Sequence, residues 1–176
     1  MGIEQLKYPI GRFDRDPPIA PAARPGAIEV IATLPARMRA AVSGLQDAQL
    51  DTPYRPGGWT VRQLVHHVAD SHMNGYIRLK LALTEENPTI KPYDQDRWAE
   101  LLDSRLATET SLRLLDGIHT RWGSLYQALA PAEFARTFFH PETGVKQTLD
   151  QHLQMYAWHS RHHVAHITAL RERERW

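Results

Sequence analysis

Apolar side chains recur at three- and four-residue intervals in four long stretches of this chain, and strand-like alternation is almost absent. The first stretch runs from Ala27 to about Leu45, with Ile28, Ile31, Leu34, Met38 and Val42 in phase. Pro35 interrupts it, so the pattern predicts either a kinked helix or one whose regular part begins there. The second, Val61 to about Leu83, opens on Trp59-Thr60-Val61-Arg62-Gln63-Leu64. Thr60 is placed to cap it, Gln63 to reach back, and Trp59 to staple against Leu64. A short helical piece around Trp98–Leu102 precedes the third, Thr108 to Leu129, which Pro131 stops. Residues 136–147 read as a small hairpin turning at Thr143-Gly144. The fourth helix follows Thr148, again with a glutamine three residues on, and its basic end, 171–175, reads as solvated. Residues 1–25, with Pro9, Pro17, Pro18, Pro21 and Pro25, read as an extended arm. Together these predict an all-α four-helix bundle, one domain over residues 1–176.

Composition narrows the chemistry more than the fold. Net charge is +1 with no basic stripe, which argues against nucleic acid as the main partner. There are no cysteines, so disulfides, thiolate metal sites and a cysteine nucleophile are all excluded. A cytoplasmic protein is expected: the first residues lack a signal-peptide core, and no run approaches the roughly 20 apolar residues that span a bilayer.

Histidine is where the pattern turns unusual. Five of the ten histidines fall within residues 151–166: His152, His159, His162, His163 and His166. On a helix, His159 and His163 are an i, i+4 pair on the apolar stripe of Leu149, Leu153, Tyr156, Ile167 and Leu170, the spacing that lets two imidazoles grip one metal ion. His162 and His166 form a second such pair, and only one pair is expected to face the seam. A catalytic site usually has three protein ligands and an open position. Helix two offers His66, His67 and His72. His66 points away and His72 lies mid-stripe, where a hydrogen-bonded core imidazole is expected. His67 lies on the flank, with Ser71 and Asn74 on its side and Asp70 a turn further round. That position favours His67 without deciding the matter. His119 and His140 read as structural, His152 as near a pocket mouth, and Trp59, Trp98, Trp122 and Trp158 as core or dimer contacts before substrate walls.

Longer strings carry a family resemblance: Tyr8-Pro-Ile-Gly, Leu50-Asp-Thr-Pro-Tyr-Arg, Gly57-Gly-Trp-Thr-Val-Arg-Gln, His66-His-Val-Ala-Asp-Ser-His-Met-Asn, Phe139-His-Pro and Tyr156-Ala-Trp-His-Ser-Arg-His-His-Val-Ala-His-Ile. Nearly end to end, the chain resembles the DinB/YfiT-like metal-dependent hydrolases. The resemblance implies a four-helix bundle, usually a homodimer, with three histidines on zinc or nickel, zinc being the expectation here. The family's first ligand lies eight residues after the tryptophan opening helix two, His67 here, and the other two match His159 and His163.

The implied chemistry is activation of water toward a small-molecule substrate. Ser160-Arg161-His162 separates the paired histidines, so the glutamate base of a His-Glu-x-x-His protease is missing. Asp70 and His166 are the candidate proton-handling residues. The same ion would equally activate a thiol, and some members of this superfamily resemble transferases of low-molecular-weight thiols such as bacillithiol. A non-catalytic module whose metal only clamps helices two and four is the alternative of another class.

Overall fold

Capping and proline chemistry set the helix boundaries in the computed structural model, which describes residues 2–15 and 19–176. Pro17 and Pro18 of the expected arm lie outside the described residues. The described α-helices are α1 (Ile3–Lys7), α2 (Arg24–Val42), α3 (Asp47–Leu50), α4 (Val61–Thr84), α5 (Gln95–Ala99), α6 (Glu109–Ala128) and α7 (Leu149–Glu174). Helix α2 starts three residues before Ala27 because Pro25 sits in its first turn, where a missing N–H is harmless. It stops at Val42 rather than Leu45, since Ser43 leaves the helical region and Gly44 turns the chain at φ +77°. Pro35 lies buried inside α2 without ending it. Helices α4 and α7 open with reciprocal capping boxes, Thr60 with Gln63 and Thr148 with Gln151. The short piece expected at Trp98–Leu102 is instead α5, capped by the Asp94 carboxylate, followed by a 3-10 turn over Leu102–Arg105.

The four long helices, α2, α4, α6 and α7, close a bundle in which α2 packs on α6 and α7, and α4 packs on the same two. Successive long helices α2 and α4 are therefore diagonal, as are α6 and α7. Two apolar clusters fill the interior. One holds Ile28 and Ile31 of α2, Leu79 of α4, Trp122 of α6 and Leu153 and Tyr156 of α7. The other holds Leu34 and Met38, Val61 to Ala69, Leu112 and Leu115, and Ile167 and Leu170. Helices α2 and α7 thus run parallel, opposite in sense to α4 and α6. Between the clusters lies a layer containing His72 of α4, His119 of α6 and Ser160 of α7, all at most 1% exposed.

The hairpin is present: β1 (Thr137–His140) pairs antiparallel with β2 (Val145–Thr148), with Gly144 at φ +65° in the turn. Phe138 of β1 is fully buried in the first cluster and anchors the hairpin to the bundle. The arm is not extended throughout, since Ile3–Lys7 coil into α1 and Pro21–Ala23 into a 3-10 turn. Between them it meets α7, where the Gly11 and Asp14 carbonyls accept hydrogen bonds from Trp158 Nε1 and Gln154 Nε2. The basic end of α7 is not simply solvated. Arg171 donates to the Ala41 and Ser43 carbonyls, and Arg173 to that of Tyr54, tying α7 to the end of α2 and to the connection between α3 and α4.

Candidate metal centre

One ligand-capable nitrogen each from His67, His159 and His163 lies within 4.8 Å of the others. Two come from α7 one turn apart and the third from the adjacent antiparallel α4. The His159 and His163 rings stand edge to face with centroids 4.3 Å apart and their Nε2 atoms meeting at 3.0 Å. His67 faces both, at 5.6 Å and 5.0 Å between centroids. A tetrahedral ion held at ~2.0–2.1 Å wants ligand nitrogens ~3.3 Å apart, so small ring rotations suffice. Three imidazoles and no carboxylate or thiolate make a donor set suited to zinc or nickel.

Burial keeps these rings in the form a metal needs. Desolvation pushes His67 down to about 4, and both His159 and His163 well below the usual imidazole value, reinforced by repulsion from neighbouring rings. All three are neutral near pH 7, with a lone pair to give. His159 is further held from behind: its Nδ1 lies 3.0 Å from His72 Nε2. The buried Nδ1 of His163 has no hydrogen-bond partner.

The DinB superfamily matches residues 31–167, a span that includes α4 and α6 entire, most of α2 and α7, and all three rings. The chain belongs to the DinB superfamily. Relatives from Bacillus mycoides strain KBAB4 and Bacillus cereus strain B4264 are each 53% identical over 99% of this chain and the whole of theirs, and each bears the name "Putative metal-dependent hydrolase". A solved structure of YfiT from Bacillus subtilis superposes with a TM-score of 0.94 at 50% identity, covering 98% of this chain and 99% of that one. It is described as "a probable metal-dependent hydrolase with an unusual four-helix bundle topology". TT2238, a four-helix bundle protein, matches 83% of this chain with a TM-score of 0.57 at 23% identity, which speaks to fold alone.

In this DinB bundle the three rings border a cavity of about 580 Å³. Its walls include Tyr54, Trp59, Trp158, His162 and His166. Both histidine pairs of α7 therefore face one cavity, unlike the expectation that only one would. Successive residues on a helix are rotated by ~100°, and this cavity is wide enough to receive His162 as well as His163. His162 and His166 meet through their Nε2 atoms at 3.0 Å, and with His163 they form a second convergent group. Trp158 stacks on His162 at 4.3 Å, and Trp59 lies 4.4 Å from His67, so these tryptophans are site walls first. Trp122 is the buried core residue. A second cavity, about 750 Å³, shares the His159, Gln95 and Asp96 walls and is lined further by Arg78, His140 and Tyr156 among others.

Other histidines go elsewhere. His66 turns from the triad into α6, bonding Ser111 Oγ and the Leu106 carbonyl. His152 does not reach a pocket mouth; it is sunk in the aromatic core with Nδ1 2.6 Å from the Tyr126 hydroxyl. Asp70 lines neither cavity; burial and nearby Asp103 push its carboxyl up to about 6. His166 does border the triad's cavity, its ring 4.2 Å from Tyr54.

Proposed function

We propose that this protein is a hydrolase of small molecules dependent on one zinc ion, nickel being the alternative, held by His67, His159 and His163. The observation that carries the reading is the convergence of three neutral imidazole nitrogens from two helices at the wall of a solvent-connected cavity. The metal-dependent hydrolase names of its relatives support the same reaction class. When bound, a divalent ion on three neutral ligands keeps its full charge, supplying Lewis acidity and lowering the pKa of water at an open position.

The chain's own side chains do the remaining work. Tyr54, Trp59 and Trp158 give the cavity an aromatic wall that excludes bulk water from one side of a bound substrate. His166, sharing one proton with His162 across 3.0 Å, is the group placed to hold or pass a proton there. Asp70 stands outside the cavity walls, so His166 is the stronger of the two sequence candidates. A small organic molecule, rather than a polymer, fits a cavity of about 580 Å³. Residence in the cytoplasm as a homodimer belongs to this reading; exposed Leu101, Leu102 and Leu106 supply apolar surface, and light scattering should give twice the 20.2 kDa chain mass.

The test is elemental analysis of protein purified without a metal-affinity tag. About one divalent ion per chain is expected, lost or greatly weakened in His67→Ala, His159→Ala and His163→Ala. A wild type that retains no divalent metal after dialysis against zinc would refute the reading. Esters and amides should then be screened beside electrophiles offered with thiols; turnover only with a thiol would move the assignment to thiol transfer.

A further inference from the structure

Pro35 carries no N–H, so the Ile31 carbonyl one turn earlier in α2 loses its usual helical donor. That carbonyl is instead met at 2.6 Å by His119 Nδ1 of α6. His119 Nε2 lies 3.0 Å from His72 Nδ1 of α4, and His72 Nε2 lies 3.0 Å from His159 Nδ1 of α7. Each of the four bundle helices contributes one member to this single row. His72 and His119 are both essentially inaccessible to solvent.

The direction of the row follows from one fact. A carbonyl oxygen only accepts, so His119 Nδ1 must carry the proton. A neutral imidazole has one donor and one acceptor nitrogen, so His119 Nε2 accepts and His72 Nδ1 donates. The same step repeated gives His72 Nε2 as acceptor and His159 Nδ1–H as donor. His159 Nε2 is then left with a free lone pair, and it is this atom that faces His163 Nε2.

We propose that Ile31, His119 and His72 form a tautomer clamp that fixes the His159 ring with its Nε2 lone pair turned toward the metal position. The clamp rests on the metal reading above, and His72 and His119 act in it as positioning residues. Ordinary metal sites anchor a ligating imidazole through one carboxylate or backbone carbonyl. Here the carbonyl lies two rings away, and a proline on a helix diagonal to α4 makes it available. The arrangement also explains why two imidazoles are tolerated in the middle of the bundle: every ring nitrogen in the row from Ile31 to His159 Nδ1 has a partner. His163 has no such support, its Nδ1 being unpartnered, so orientation of the α7 pair depends on His159.

Two measurements test the clamp. In uniformly 15N-labelled metal-free protein, long-range 15N–1H correlation should give the Nδ1–H tautomer for His119, His72 and His159; an Nε2–H tautomer in any of them overturns the proposal, whether or not the protein binds metal. Zinc affinity, measured by competition with a chromophoric chelator, should fall by at least about tenfold in His119→Phe and His72→Phe, which keep ring volume and remove the hydrogen bonds. His119→Gln presents an amide donor and acceptor with the same separation as the ring nitrogens and should stay within about threefold of wild type. A smaller loss in a phenylalanine variant that melts cooperatively, or a glutamine variant no better than phenylalanine, overturns it. If neither phenylalanine variant folds, the wild-type tautomers decide alone. A wild type that binds no zinc refutes the metal reading, while the tautomers still answer for the clamp.

Discussion

Gly75 sits in the middle of α4 against the buried core rings of Tyr156 and Trp122, and a methyl group there has nowhere to go. A Cβ at this position would lie 2.4 Å from Tyr156 Cζ, 2.7 Å from its Oη and 2.7 Å from Trp122 Cη2. Trp122 and Tyr156 are at most 2% exposed, so neither ring can swing into solvent. Helix propensity alone would make Gly75→Ala stabilising by about 1 kcal/mol. Against this stand roughly 1–3 kcal/mol of overpacking and about 1 kcal/mol for the Tyr156 hydroxyl bond to the Ser71 carbonyl at 3.1 Å, which a displaced ring gives up. The net expectation is a loss of about 1–3 kcal/mol, or roughly 2–12 °C in Tm for a chain of this size. Gly117 of α6 provides the control: it is exposed with nothing within 4 Å of a built Cβ, so Gly117→Ala should stabilise by ~0.5–1 kcal/mol. Urea unfolding followed by circular dichroism reads both, with a changed midpoint at constant slope as the signature. Gly75→Ala matching or exceeding wild-type stability would refute the packing argument, because the two substitutions would then share a sign.

The buried imidazoles make the metal-free protein acid-labile. His67 and His119 are pushed down to about 4 and His152 to about 3 by burial, against 6.5 when unfolded, so the unfolded chain binds more protons below that value. Their contribution is fully present above pH ~6.5 and is lost as pH falls toward 4; at pH 5 each ring costs up to ~2 kcal/mol. A urea midpoint unchanged between pH 7 and pH 5 would contradict this. Zinc at a hundredfold excess over its Kd should add about 2.7 kcal/mol, seen as a rise in Tm that a chelator reverses; equal Tm with and without zinc would count against a native-state site. The Arg24 guanidinium grips the Asp150 carboxylate through two bonds of 2.7 and 2.6 Å, with both side chains under a fifth exposed. Arg24→Ala should cost about 1–3 kcal/mol, and Arg24→Lys should recover only part of it because an ammonium cannot make the paired contact. Full recovery by lysine would show that charge alone matters there.

What the sequence determined was local. Helical periodicity, the Thr60–Gln63 and Thr148–Gln151 caps and the Gly144 turn depend on residues a few positions apart, and the elements they predicted are present with ends shifted by a few residues. The His159–His163 pair was legible for the same reason, since one turn of helix fixes its geometry whatever surrounds it. Choosing between His67 and His72 was beyond periodicity, because both lie near one stripe; the flank position leaned toward His67, and the resemblance then singled it out. Only the tertiary structure brought the His67 nitrogen to the pair and set His72 behind His159. It alone turned Trp59 and Trp158 into cavity walls and opened one cavity to both histidine pairs. Pro35 looked like a flaw in the first helix when read along the chain. In the bundle, the carbonyl it leaves without a helical donor meets a ring from a helix 88 residues away, a contact set by packing across the core, which no pattern along one strand of sequence encodes.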